Sequence, residues 1–127
     1  MGLFSRNRKK VVIEKFKANW RTIMQLMAGN FTENFEVMEV ATKRTEALKS
    51  ELWEACLEDK AMARLISGRG LNKKGFLDVF ERLAGLGIGT PAIAMAMSDP
   101  DVLSYILGED NDFELQNHLL TKYGSAW

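Results

Sequence analysis

The 127-residue sequence contains one cysteine and one histidine. That is too few for a disulfide framework or for the four Cys/His ligands of a structural zinc site. It has two prolines and ten glycines, which excludes collagen-like and proline-rich chains. Net charge is also lacking. Seventeen Lys+Arg balance seventeen Asp+Glu, so the chain as a whole is no polyanion binder. No apolar run reaches the roughly 20 residues that span a bilayer. The longest uncharged stretch, Leu83 to Ser98, is interrupted by Gly85, Gly87, Gly89 and Pro91 and reads as buried turn and short helix. Val11 to Ile13 stop at Glu14 before a secretory apolar region can form. Arg6 stands where a myristoylation pattern wants Ser or Thr. With a single thiol and no such signal, the cytoplasm is the expected location, the inner face of a membrane the second.

Hydrophobic residues make up 46% and charged residues 27%, which suits one folded unit with a core of its own. Apolar residues recur at spacings of three and four, and no alternating run is bounded by turns. The expected fold class is therefore all-α. Two long N-terminal helices, for which an antiparallel hairpin is one arrangement, precede a compact group of three or four shorter ones. The division falls between residues 1–67 and 68–127, within one folded unit.

The first helix is expected from Asn7 to Met27, with Val12, Ile13, Phe16, Trp20, Ile23, Met24 and Met27 on its apolar face. The second starts at an N-cap Thr32 and carries the stripe Phe35, Met38, Ala41, Thr45, Leu48, Leu52 and Ala55. It either breaks near Glu58-Asp59 or runs on to Ser67. Such a helix would be about 54 Å long, more than a compact domain of this size holds. A third runs from Lys73 to Leu86. Thr90-Pro91 and Asp99-Pro100 each read as N-cap and first helical residue, and Asp112 caps the last helix. Phe16, Leu48, Leu52, Phe80, Leu83 and Leu103 are the expected core, and most of the seven methionines join it.

The zero balance hides an alternation. Residues 1–21 carry +6, residues 22–60 carry −4, residues 61–82 carry +3 and residues 83–127 carry −5. Either helices of opposite sign pair with one another, or the two ends of the chain meet different partners. Arg6, Arg8, Lys9 and Lys10 are the strongest local signal. Bases at a helix N-terminus oppose its dipole, so they are candidates for contact with an anionic partner, protein or lipid. Nucleic acid is the least favoured, because no zinc-finger or RNA-recognition signature accompanies them. Trp20, Trp53 and Trp127 are interface candidates, and Trp53 is the best of them, since it falls beside the main stripe of its helix.

No catalytic constellation emerges. Gly85-Leu86-Gly87-Ile88-Gly89 has its third glycine one residue early for a dinucleotide loop. His118 and Cys56 lack a nucleophile motif, and Cys56 reads as a small core residue. Glu109, Asp110, Asp112 and Glu114 miss the glycine and final glutamate of a calcium loop. The expectation is a non-enzymatic helical interaction module, an adaptor or small subunit, with no cofactor or metal. Its partner is a protein or, through the basic segment, an anionic membrane surface or nucleic acid. Self-association is left open.

Overall fold

A computed structural model describes residues 2–29 and 35–124, with side chains from residue 8 onward. Thr32 and Trp127 lie outside the described residues, as does the side chain of Arg6. Seven α-helices and no strand are found among the described residues: α1 Gly2–Ala28, α2 Phe35–Glu58, α3 Lys60–Gly68, α4 Lys73–Gly85, α5 Thr90–Met97, α6 Pro100–Gly108 and α7 Asp112–Tyr123. The all-α class expected from the apolar spacing is the one observed.

The long second helix ends at Glu58. Asp59 leaves the helical conformation (φ −90°, ψ 125°), and its side chain accepts from the Met62 amide to cap α3. Aspartate favours this position because its carboxylate satisfies an amide that the helix cannot. Two of the turns depend on left-handed glycines, Gly70 at φ 62° and Gly87 at φ 83°. At each, the following amide reaches back five residues, Leu71 to Ile66 and Ile88 to Leu83. That is the Schellman closure, and glycine adopts it without a Cβ penalty.

Two expected caps lie one residue off. Gly89, not Thr90, caps α5, and it does so without a side-chain bond. Thr90 is the first helical residue and its Oγ1 is buried without a partner. In α7 the cap is Asn111, whose Oδ1 accepts from the Glu114 amide. Asp112 is instead held by Arg82 at 2.7 Å.

One core takes side chains from all seven helices. Phe16, Leu48, Leu52, Phe80, Leu83 and Leu103 are all buried, as expected. Helix α5 lies at the centre against α1, α4, α6 and α7. It has no charged residue, and six of its eight residues are buried, three of them alanines (Ala92, Ala94 and Ala96) that let neighbouring helices approach closely.

Helices α1 and α2 run antiparallel. Arg8 pairs with Glu58, Lys15 with Glu51 at 3.4 Å, and Asn19 bonds to Ala41 and Thr45. At 1.5 Å per residue α1 is about 40 Å long, whereas α4 spans about 20 Å. The short helices therefore cover only the inner half of the α1–α2 hairpin.

Candidate interaction surface

The basic segment is mostly engaged within the fold. Arg8 binds Glu58, and Lys9 sits 3.2 Å from Asp59 while its Nζ donates to the Ser98 carbonyl at 3.1 Å. Lys10 is exposed. Arg8 and Lys9, expected to face an outside anion, thus have acidic partners within the fold. Helix α1 begins at Gly2, so both lie beyond the first turn, where the dipole effect has faded. The acids at the α2–α3 joint then supply their counter-charges.

Trp53, expected at an interface, lies inside the fold. It is 8% exposed, its ring tilted against Phe76 at 5.2 Å between centroids. The position beside the main stripe faces α4, which packs on α2 at that flank. The same flank buries Lys49, 5% exposed, with its ammonium on Glu81 and Glu46 and 5.1 Å above the Phe80 ring. Burial alone would lower its pKa, but the hydrogen bonds and charges of the two glutamates outweigh burial and raise it.

Cys56 does not line the cleft that holds His118. Burial pushes the Cys56 thiol up to about 12, so it is a protonated core group 3.8 Å from the Met97 carbonyl. His118 is exposed, its ring tilted against Tyr105 at 4.2 Å between centroids. Together with Glu114, Asn117, Thr121 and Lys122 they line a shallow cleft of about 380 Å³. Desolvation, then the charges of Glu109 and Glu114, raise the Tyr105 pKa. A second cleft, about 470 Å³, lies between Lys9, Ile13, Met95, Pro100 and Tyr123. Lys9 is already committed to Asp59 and Ser98 there. Among the described residues no group of three or more His, Cys, Asp or Glu is placed to hold a metal ion, and no helix is long and apolar enough to cross a membrane.

The outer half of the hairpin is different in kind. Between Asn19 and Leu48, Ala41 is the one fully buried apolar residue among those described. Met24, Met27, Phe35, Val37 and Val40 are 38–65% exposed. Asn19 holds this half in register: its Nδ2 donates to the Ala41 carbonyl at 3.0 Å and to Thr45 Oγ1 at 2.9 Å. Trp20, Ile23, Leu26 and Met38 are only half-buried here, so this half of the hairpin removes less apolar area from water than the inner half does. Five of the nine exposed large apolar side chains among the described residues lie at this end; Val11, Leu57, Phe113 and Leu120 lie elsewhere.

Sequence reasoning placed Met24 and Met27 on the core face. Their spacing is that of the core residues, and spacing carries no information on where the covering helices end. The mismatch in helix lengths was the available signal.

Comparison with known protein families, with curated proteins and with solved structures gives no match.

Proposed function

We propose that this chain is a non-enzymatic α-helical interaction module, an adaptor or small subunit, that docks through the outer half of its α1–α2 hairpin on another helical protein surface. The carrying observation is the exposure of Met24, Met27, Phe35, Val37 and Val40 on the half of the helix pair that buries less apolar area. Methionine suits such a surface, because its flexible thioether adapts to the partner's shape. Helices α3 to α7 serve as the base that holds the inner half rigid. The cytoplasm is the proposed setting.

The anionic-membrane or nucleic-acid reading of the first segment is the lesser one, since Arg8 and Lys9 already have internal partners. The test is retention of proteins from native-cell lysate on the immobilised chain, compared with Met27→Glu and Val40→Glu, each checked by circular dichroism. A protein held by the wild type and lost by both folded variants supports the reading. Equal retention by all three overturns it. Binding to phosphatidylserine vesicles that survives both substitutions would favour the membrane instead.

A further inference from the structure

Helix α2 carries a second stripe, beside the one that faces α1. Val37, Val40, Arg44 and Ala47 step by three and four, and all are exposed. Val37 and Arg44 are seven residues apart and share one edge of this stripe. Val40 and Ala47 share its centre, and Glu36 and Lys43 share the other edge. This is a two-heptad seam with apolar centre and charged edge, the pattern by which one helix receives another. The floor beside it is low: Ala18 and Thr22 of α1, with Asn19 and Arg44, line a shallow depression of about 130 Å³.

The charges name the occupant. On the Glu36/Lys43 edge the acid lies four residues before Val40 and the base three residues after it. A second helix of the same sequence, antiparallel and with its Val40 against this Val40, places its Lys43 at Glu36 and its Glu36 at Lys43. Along the opposite edge Val37 meets the aliphatic stem of the second copy's Arg44. Both edges are satisfied in the same register, and a two-fold axis repeats each contact. Among the described residues Glu36 has no ion pair. Lys43 has only the exposed Glu39 of its own helix, at 3.4 Å. The zero net charge of the chain puts no long-range repulsion between copies.

We infer that the occupant of this stripe is a second copy of the chain, and that two hairpins close into an antiparallel four-helix bundle centred on Val40. The inference rests on the reading of the hairpin end as a docking surface and names its partner. Bundles of two hairpins bury the faces that each hairpin alone leaves wet.

Sedimentation equilibrium of the wild type and four variants tests it, each variant checked for helicity and unfolding midpoint. The wild type is expected to dimerise. Val40→Glu places two carboxylates on the axis and should abolish the dimer. Glu36→Lys and Lys43→Glu each create two like-charge contacts and should weaken it about tenfold. The double variant Glu36→Lys/Lys43→Glu restores opposite charges in the same register and should recover wild-type affinity. Val40→Cys should form a disulfide-linked dimer with oxidised glutathione, because the native Cys56 thiol is buried. A wild type that stays monomeric at its highest soluble concentration overturns the inference. So does a dimer that Val40→Glu leaves intact, or a double variant no tighter than the single ones. If the wild type is monomeric while Met27→Glu and Val40→Glu still release a lysate protein, the second copy alone is wrong and the docking surface stands. If no lysate protein is released either, both fall.

Discussion

Lys49 shows how a charged residue can be buried without an orphan. Its stem is enclosed, its ammonium rests on Phe80, and the carboxylates of Glu46 and Glu81 remain largely in water. Removing the charge while keeping the stem therefore strands no buried partner. Lys49→Met should change stability by no more than about 1.5 kcal/mol, whereas Lys49→Ala empties the slot and should cost about 2 kcal/mol or more, as read by urea unfolding. The pH dependence follows from the raised pKa. A lysine whose folded pKa lies above its unfolded value contributes stability that is fully present below the unfolded value and is lost as pH climbs through the folded one. The wild type's advantage over Lys49→Ala should thus be flat at neutral pH and shrink above about pH 10. Cys56 has the same direction for a different reason. Desolvation, the dominant effect, holds its thiol protonated to about 12, so folding opposes ionisation. Its contribution is complete below the unfolded value near 9 and is lost as pH rises toward 12. At neutral pH, reaction with a thiol reagent should proceed only through unfolding, at a rate that tracks stability across variants.

At the scale of the element, the hairpin has two unequal halves. The inner half is held by Phe16 stacked on Phe80 at 5.7 Å and by the pairs of Arg8, Lys9 and Lys15. These exposed or half-exposed pairs are individually weak. Arg8→Gln with Lys9→Gln should lower stability by roughly 1 kcal/mol at low salt and less at high salt, measured by thermal melts in both conditions. The outer half depends on Asn19. Asn19→Ala should cost about 1–2 kcal/mol and speed amide exchange in residues 20–28 and 35–44 more than in α4 to α7, seen by hydrogen-exchange mass spectrometry. An unchanged exchange pattern would refute Asn19 as the register pin.

At the scale of the whole molecule, what could be read from the residues alone follows from what their periodicity measures. Spacings of three and four report which side of a helix is apolar, so the all-α class and core positions such as Leu52 were legible. Leu52→Ala should cost about 2–5 kcal/mol in denaturant unfolding. The break at Asp59 was legible only as one of two alternatives, since length argued against a helix through to Ser67 but no glycine or proline marks the joint. Trp53 was not, since only the packing of α4 reveals that α2 has a second covered flank. Arg8 and Lys9 were readable in sign but not in destination: the acids they meet are fifty residues further on.

The uncharged stretch around α5 governs how the unfolded chain behaves. In the native state most of the apolar side chains between Leu83 and Ser98 are buried against other helices, while Ala84, Gly85 and Gly87 face solvent. Once unfolded, it is a sixteen-residue segment without a single repelling charge, in a chain whose isoelectric point is about 6.6. Near that pH nothing keeps two unfolded molecules apart. Pro91 and the three glycines oppose extended stacking within the segment, but they add no charge. Heating should therefore end in precipitation near pH 6.6. It should become progressively reversible at more acidic or more alkaline pH, as net charge of either sign accumulates on the denatured chain faster than native stability is lost.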